Sequence, residues 1–305
     1  MVAAAVSAKR VIGVDLGGTK ILAGAIDAEG TVLERHEVRT PTGSQAELVE
    51  GIAAAIEPLA NGGMAALGFG IPSVIDRATG QSLGSVNIPL EDVALGRVMS
   101  ERFGVPATVE NDGNAAALAE WHLGAGRGAE NMVMLTLGTG VGGGLVLGGA
   151  LYRGWAELGH VVVVADGPPC QGNCTGRGHL ECLASGSAAD RAAEKLWGEG
   201  ATAELLVGRA SEGDAEALEA LSDIGHLLGA AIGSFFNIFA TELVVIGGGF
   251  GTAAADYLFP EALEVARREA LLDSSRVNLR IVKAELGSDA GLIGAGLLAF
   301  ETLEP

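Results

Sequence analysis

The hydrophobic residues of this chain are arranged in short blocks that glycine turns separate. Near the start, VIGVD and ILAGAI flank the turn LGGTK, and TVLERHEV follows a second turn at Glu29-Gly30, which predicts three consecutive strands. Residues 44–60 have the spacing of an amphipathic helix, and ALGFGI at 66–71 is a continuous apolar run typical of a buried strand. The first part of the chain is therefore predicted to mix strands and helices.

The next segments continue this alternation. EDVALGRVMSERFG at 91–104 is predicted to be a helix that stops at Gly104, and PATVE at 106–110 a strand. NDGNAAALAEWHLGAG at 111–126 has the pattern of a helix that begins at an Asn/Asp cap. Asp112 therefore falls where a strand ends and a helix begins.

The second half of the chain opens like the first. MVMLTLGTGVGGGLVL at 132–147 repeats the form of VIGVDLGGTKILAGAI at 11–26, at a spacing of 121 residues. The later predicted elements are helices at 186–240, 252–272 and 288–302 and strands at 242–246 and 278–286. Such a repeat is typical of the actin and hexokinase type of fold, which has duplicated α/β domains with a central cleft. The alternative is a chance likeness of two glycine-rich hairpins.

Composition and charge narrow the possible partners. Thirty-eight acidic residues against 19 basic ones give a net charge of -19, and no basic patch is visible, so nucleic acid is not expected as a partner. No apolar run reaches about 18 residues, and the opening MVAAAVSAKR does not read as a signal segment. We expect a cytoplasmic protein that does not enter the membrane.

Two glycine turns are candidate phosphate sites. Gly17, Gly18 and Thr19 could present backbone N–H groups and a hydroxyl to phosphate, and Asp15 could hold Mg²⁺ through its water shell. The alternative is that these glycines only form a hairpin turn.

A dinucleotide site is not expected at the other glycine turn. GTGVGG at 138–143 matches G-x-G-x-x-G, but GLVL continues it as a strand, and the dinucleotide motif requires a helix there. The later segment 243–253 does read as strand, glycine turn and helix, where a nucleotide could dock.

One short segment has the composition of a metal site. Cys170, Cys174 and His179, preceded by His160, supply four ligands that suit tetrahedral zinc. An odd number of cysteines fits a disulfide framework poorly, and Cys182 is expected to be a buried thiol. The alternative is that the other two cysteines are free thiols in a loop beside an exposed histidine.

Several acidic and amide side chains could bind a polyol. Glu157 and His160 are three residues apart and would share a face of a helical turn, and Glu181 follows the cysteine loop. Together with Asn111 and Asp112 they offer the donors and acceptors that desolvated hydroxyl groups need. The simpler alternatives are that the two glutamates are solvated surface charges and that Asp112 only caps its helix.

Taken together, the motifs resemble those of the ROK family (repressors, open reading frames, kinases), and most of all its bacterial ATP-dependent glucokinases. The resemblance spans nearly the whole chain through DLGGTK (15–20), GIP (70–72), NIP (87–89), ENDGNAAALAE (110–120), LGTGVGGG (137–144), ELGH (157–160), GHLE (178–181) and IGGG (246–249).

This resemblance implies a sugar kinase of carbohydrate metabolism that phosphorylates a hexose, above all glucose to glucose 6-phosphate in glycolysis. It makes Asp112 the general base, a role worth ~10²- to 10⁴-fold in rate. The residues it assigns to the sugar are Asn87, Asn111, Asp112, Glu157, His160 and Glu181. Those assigned to ATP and its Mg²⁺ are Asp15, Gly17, Gly18, Thr19, Lys20, Gly138, Thr139, Gly140, Gly247, Gly248 and Gly249.

The resemblance also implies domains and an oligomer. We expect a smaller domain of residues 1–114 plus 290–305, to which the C-terminal helix returns, and a larger one of 115–289 that carries the zinc loop. The family is commonly dimeric or tetrameric, so a homo-oligomer is expected.

The cysteine loop departs from the family pattern. The family's loop usually reads C-x-C-G-x-x-G-C, whereas here the first cysteine is displaced to Cys170 and His179 takes the third position. We therefore predict a structural zinc site of His160, Cys170, Cys174 and His179.

Other functions compete with a glucokinase. A family repressor would carry a helix-turn-helix ahead of this fold, and the first predicted strand already begins at residue 11. Kinases for N-acetylglucosamine, N-acetylmannosamine or fructose stay open, as do polyphosphate as a second phosphoryl donor and a catalytically silent sugar-binding protein.

Overall fold

The computed structural model describes residues 10–76, 79–85, 88–271, 276 and 278–303. The elements among these residues are, in chain order, β1 (Val11–Leu16), β2 (Lys20–Ile26), β3 (Val32–Arg39), α1 (Gln45–Ala60), β4 (Leu67–Ile71), β5 (Val74–Asp76), β6 (Gln81–Gly84), α2 (Leu95–Phe103), β7 (Ala107–Asn111), α3 (Asp112–Leu123), β8 (Met132–Leu137), β9 (Val141–Leu147), β10 (Ala150–Leu151), α4 (Leu180–Ala184), α5 (Gly186–Trp197), α6 (Ala203–Ser211), α7 (Ala215–Phe239), β11 (Leu243–Gly247), α8 (Gly249–Ala253), α9 (Ala255–Glu269), β12 (Arg280–Lys283) and α10 (Ala290–Glu301).

The chain divides into two compact units. The first contains the described residues up to Ala119, the short segment Arg153–Trp155 and the residues from Ser288 onwards. The second contains Glu120–Tyr152 and Ala156–Gly287. The short segment Arg153–Trp155 belongs to the first unit, although the chain on either side of it belongs to the second. The boundaries expected from the sequence placed this segment in the larger domain.

Each unit is built on a five-stranded mixed sheet with the same topology. The strand order is β3-β2-β1-β4-β7 in the first unit and β10-β9-β8-β11-β12 in the second. In both, the first three strands are antiparallel neighbours and the last two join them in parallel. The predicted duplicated α/β architecture is confirmed.

The register brings the ends of the parallel strands together. Asp15 of β1 pairs with Gly70 of β4, and Gly70 pairs with Glu110 of β7. In the second unit Thr136 of β8 pairs with Gly247 of β11. Because parallel strands end at the same edge of a sheet, the loops that follow them are neighbours, and ligands of α/β sheets commonly bind at this edge.

Helix α10 packs on the first sheet by direct backbone contact. A Cβ atom at Gly68 would overlap the carbonyl of Ala295, and one at Gly13 would overlap that of Leu292. The helix is apolar almost throughout and its inward side is fully buried. Glycine on β1 and β4 is therefore what permits the C-terminal helix to lie against the strands.

In the second unit, glycine permits the same close backbone contact between two helices. Gly225, Gly229 and Gly233 of α7 lie against the backbone of α9 around Leu258 and Ala262, and added Cβ atoms would come within 2.6–3.2 Å of neighbouring atoms. The long helix begins at Asp214, whose carboxylate accepts the N–H groups of Glu216 and Ala217. Close helix contact of this kind buries apolar area without large side chains.

The structure corrects several predicted boundaries. Helix α2 begins at Leu95 rather than at 91, because Asp92 adopts a left-handed conformation with φ of 52° that interrupts a helix. The predicted helix at 186–240 is three helices, with interruptions that begin at Gly198 and at Glu212. The hairpin of β5 and β6 was not predicted.

No helix in the described part of the chain is both long and apolar enough to span a bilayer.

The packing of α10 makes a testable prediction. Gly294→Ala should lower the melting temperature by roughly 5 °C or more, because the new methyl group would overlap the carbonyl of Ala115 in α3. Gly208→Ala is the matched control, since a Cβ at this helical position meets nothing within 4 Å and alanine favours helix. Calorimetry showing equal melting for both variants would contradict the packing argument.

Candidate active site

Asp112 lies at the junction of β7 and α3, as predicted. The side-chain oxygen of Asn111 caps α3, accepting the N–H groups of Gly113 at 2.9 Å and Asn114 at 3.2 Å. The Asp112 carboxylate also accepts from Gly113, at 2.8 Å. Since Asn111 already provides the cap, helix capping does not by itself account for an aspartate at 112.

Asp15 and Asp112 both lie next to Gly70 in the first unit. A Cβ at this position would lie 3.6 Å from the Cα atom of Asp112 and 3.8 Å from the carbonyl oxygen of Gly291. Asp15 is the register partner of Gly70 on β1. Asp15 and Asp112 therefore stand on either side of a glycine at the carboxyl edge of one sheet.

Burial of Asp15 disfavours its charge. Desolvation raises the pKa of this carboxyl group to about 6, and the nearby Lys20 ammonium lowers it only in part. A Cβ at Gly291, in the first turn of α10, would come within 2.9 Å of the carboxylate carbon. A carboxylate held in this way is suited to a cation partner, because a positive charge would offset the cost of its burial.

Two hydrogen bonds fix the glycine turn after β1. The N–H group of Gly17 donates to the carbonyl of Lys20 at 2.9 Å, which closes the turn. The buried hydroxyl of Thr40 donates to the carbonyl of Gly17 at 2.7 Å. The ammonium of Lys20 pairs with Glu37 at 3.0 Å on the exposed face of β2 and β3, and its contact with the nucleotide stays a prediction.

Glu110 is a buried residue whose carboxylate hydrogen-bonds the end of β7. Its carboxylate is fully buried and accepts the backbone N–H of Asn111 at 2.9 Å and the amide of Asn114 at 3.0 Å. Arg153 approaches it at 3.5 Å and also pairs with Glu301. Sequence reasoning gave no role to Glu110, although its place directly before the Asn111-Asp112 pair was a usable signal.

In the second unit the two glycine loops are neighbours. A Cβ at Gly248, whose φ is 82°, would overlap the carbonyl of Leu137, so only glycine permits this contact. The N–H of Gly186, the first residue of α5, donates to the carbonyl of Gly138 at 2.7 Å. Added Cβ atoms at Gly138 and Gly249 would meet nothing within 4 Å, so the loops leave room for a ligand there.

Glu181 contacts the first of these loops. One carboxylate oxygen accepts the N–H group of Val141 at 3.0 Å, and a Cβ at Gly140 would overlap that same oxygen. A residue predicted to bind sugar is thus also part of the wall that shapes the predicted phosphate loop.

Glu157 and His160 share a single turn, as their spacing predicted. Residues 158–160 form a 3₁₀ turn that Glu157 precedes. Desolvation raises the pKa of Glu157, the nearby His160 lowers it, and the negative charge of Glu181 raises it further. The three side chains therefore form one electrostatic group in this unit.

Four side chains converge with the geometry of a metal site. The ligand atoms of His160, Cys170, Cys174 and His179 all lie within 4.8 Å of one another. The two Nδ1 atoms are 3.3 Å apart, and sulfur-to-nitrogen separations are 4.0 Å for Cys170 with His160 and 3.5 Å for Cys174 with His179. Tetrahedral zinc with its usual bond lengths places ligand atoms ~3.3–3.8 Å apart, so two of these three separations match this ion and the distance of 4.0 Å from Cys170 to His160 is slightly longer.

The cysteines differ in environment. Desolvation, with the neighbouring Cys174 and Glu181, raises the pKa of Cys170 to about 11 despite an opposing hydrogen bond from the backbone of Gln171. A thiol with this pKa carries its proton at neutral pH, and a divalent cation would displace that proton. Cys182 is buried and donates to the carbonyl of His179 at 3.2 Å, which confirms its predicted role as a core thiol.

The structure sorts the predicted site residues into two sets. The first unit holds Asp15, Gly17, Gly18, Thr19, Lys20, Asn111 and Asp112, and the second holds Gly138, Thr139, Gly140, Glu157, His160, Cys170, Cys174, His179, Glu181, Gly247, Gly248 and Gly249. Asn87 lies outside the described residues.

Comparison with known proteins decides the family. The profile of the ROK family matches residues 11–302, which is nearly the whole chain. The chain belongs to the ROK family. The glucokinase of Streptomyces coelicolor is 34% identical over 95% of this chain and 97% of its own length. The N-acetylmannosamine kinase of Shigella boydii serotype 18 is 32% identical over 94% of this chain and 97% of its own.

A solved ROK structure has the same fold. The ROK family glucokinase from Streptomyces griseus, crystallised in complex with glucose and AMPPNP, superposes with a TM-score of 0.82. It is 32% identical, and the match covers 96% of this chain and 99% of that one. The actin and hexokinase type of α/β fold expected from the duplicated pattern is thus confirmed.

The buried carboxylate of Asp15 predicts a pH-dependent stability in this ROK protein. The folded pKa of about 6 lies above the unfolded value of 3.8, so its contribution is greatest below 3.8 and is lost as pH rises through 6. Asp15→Asn should therefore be more stable than the wild type by roughly 2–3 kcal/mol at pH 8. The difference should shrink on acidification to pH 5.

Thermal unfolding across this pH range checks the sign. Glu29→Gln, at an exposed hairpin position, should track the wild type at every pH. An Asp15→Asn protein that is less stable than wild type at pH 8 would contradict the desolvation argument.

Proposed function

We propose that this chain transfers the γ-phosphate of ATP to a hexose, with glucose as the preferred substrate and Asp112 as the general base. The observation that carries the proposal is the placement of Asp112 and Asp15 on either side of Gly70, at the sheet edge where the turn of Gly17 begins. Whole-length likeness to glucokinases and to a glucose- and AMPPNP-bound ROK enzyme supports this substrate pair.

Asp112 removes the proton of the attacking hydroxyl. A sugar hydroxyl is a weak nucleophile, and a carboxylate that accepts its proton as the oxygen attacks phosphorus lowers the barrier. The cap supplied by Asn111 and the buried Glu110 behind it hold the strand end, which limits the movement of the base.

The glycine loops bind the phosphates through backbone N–H groups. Residues 18–19 in the first unit and 139–140 in the second present peptide N–H groups with no bulky side chain, while the N–H groups of Gly17 and Gly138 close their own turns onto the carbonyls of Lys20 and Gly140. Residues 247–249 form the turn beside the adenosine. Asp15 is the residue that would hold Mg²⁺, which neutralises phosphate charge when bound.

The sugar hydroxyls are assigned to Asn87, Asn111 and Asp112 in the first part of the chain and to Glu157, His160 and Glu181 in the second. His160 directs Nδ1 into the metal cluster, which leaves Nε2 as an N–H donor for a hydroxyl oxygen. Desolvation raises the pKa of Glu157, and its carboxyl oxygens can accept hydrogen bonds from sugar hydroxyls.

We further propose that His160, Cys170, Cys174 and His179 hold a structural zinc ion. A closed set of four protein ligands leaves no position for substrate, so the ion would order the loop and orient His160.

The partners follow from these roles. We propose a cytoplasmic homo-oligomer, a dimer or tetramer, that binds ATP and a hexose and neither nucleic acid nor membrane. A second candidate function is phosphorylation of N-acetylmannosamine, which the 32% identity to that kinase favours. N-acetylglucosamine, fructose and polyphosphate remain on the panel of substrates to be assayed.

Removal of the base should separate catalysis from binding. Asp112→Asn should lower kcat on glucose and ATP by ~10²- to 10⁴-fold while the Kd for glucose changes by less than about threefold, because asparagine keeps the shape but accepts no proton. A coupled assay over the hexose panel and calorimetric titration of glucose measure both quantities.

Asp27→Asn is the matched control, since Asp27 caps a hairpin turn elsewhere in the first unit. An Asp112→Asn enzyme that keeps a tenth of the wild-type kcat would exclude a general base at 112. A wild type that binds glucose without phosphorylating any hexose would instead support a silent sugar-binding protein.

The zinc proposal predicts close to one zinc per purified chain. Cys174→Ser should lose the metal and melt at a lower temperature, because the loop loses a ligand whose bond orders it. Cys182→Ala, which alters a buried thiol outside the cluster, should keep its metal. Elemental analysis and calorimetry check both, and a fully active wild type without metal would argue against the site.

A further inference from the structure

Gln171 joins the metal cluster to the glycine loop at 138–140. Its side-chain amide donates to the carbonyl of Thr139 at 2.9 Å, across 32 residues of sequence. Its own carbonyl accepts the N–H group of Cys174 at 3.4 Å, and it directly follows Cys170. The backbone of Gln171 is thus fixed within the loop of metal ligands, and its side chain hydrogen-bonds the glycine loop.

The glycine loop is held at two points by the same segment of chain. Glu181, two residues after the metal ligand His179, accepts the N–H group of Val141. A Cβ at Gly140 would overlap Glu181 and lie 3.5 Å from the amide nitrogen of Gln171. The position of the loop therefore depends on two side chains that flank the metal ligands.

The hydrogen bond from Gln171 fixes the orientation of one peptide group in the glycine loop. The carbonyl of Thr139 and the N–H of Gly140 belong to one planar trans peptide and point in opposite directions. A hydrogen bond to the carbonyl therefore fixes where the N–H of Gly140 points. Glycine on one side of this peptide would otherwise allow it to rotate at little cost.

We propose that Gln171 is a positioning residue that transmits metal occupancy to the nucleotide loop, so that affinity for nucleotide depends on the metal through this side chain. When the cation is bound, the four ligands share one partner and the backbone at 170–174 is fixed. When it is absent, the loop loses its common centre, and the amide of Gln171 no longer holds Thr139. This inference rests on the proposed role of the 138–140 loop in binding phosphate.

The test compares wild type, Gln171→Met and Asn173→Ala. Methionine keeps the length of glutamine without its N–H donors, and Asn173 is an exposed residue of the same loop. Calorimetry measures the Kd of AMPPNP with Mg²⁺, and separately that of glucose, for metal-loaded and chelator-treated proteins. Metal content is measured for each sample.

We expect loaded Gln171→Met to keep its metal and its glucose Kd while its Kd for AMPPNP rises by about 3- to 10-fold, the worth of one hydrogen bond. Chelation should weaken AMPPNP binding of the wild type by at least that factor and have less than about a twofold further effect in Gln171→Met. Asn173→Ala should behave as wild type.

Two outcomes would overturn the proposal. They are an unchanged AMPPNP Kd in loaded Gln171→Met, and losses from mutation and chelation that multiply independently. If chelation unfolds the protein, hydrogen exchange of the loaded variant decides, because a peptide containing Gly140 and Val141 should exchange faster only in Gln171→Met. A wild type that binds no AMPPNP would instead refute the proposed function, which separates the two failures.

Discussion

Backbone contact through glycine is the constraint on which both halves of this protein depend. Gly13 and Gly68 let α10 rest on β1 and β4, and Gly70 admits the first turn of α3 beside Asp112. With a Cβ at Gly13 or Gly68 the helix would have to move away, and the strand ends would lose the cover that buries Asp15. The rise in the pKa of Asp15 to about 6 is thus a consequence of close packing.

The duplicated topology supplies two equivalent sheet edges with different chemistry. In the first unit the edge carries carboxylates and an amide that caps a helix, which suit a proton acceptor and a cation ligand. In the second unit it carries the glycine loops of 138–140 and 247–249, with the side chains of Glu181 and Gln171 against the first of them. Each edge can carry different side chains because each unit is stabilised by its own sheet and helices.

Sequence reasoning succeeded where one local pattern determines the outcome. Continuous apolar runs before glycines located β1, β4, β8 and β11, and the strand-to-helix change located Asp112. It failed where contacts join residues distant in sequence, as in the hydroxyl of Thr40 on Gly17 or the amide of Gln171 on Thr139. Neither residue type has a spacing that reveals its partner, and the hairpin of β5 and β6 depends likewise on tertiary hydrogen bonds of Ser73.

The proposed phosphate loops at 17–19 and 138–140 of this acidic chain contain no basic side chain. Here Lys20, Arg35 and Arg102 are each paired with an acidic residue. Backbone N–H groups remain as donors, and 48 glycines make them accessible at close range. Peptide donors carry no net charge and must be aimed correctly to bind an anion. The hydrogen bonds from Thr40 and from Gln171 fix peptide groups of the two loops, and under the proposed function they aim these backbone donors at phosphate.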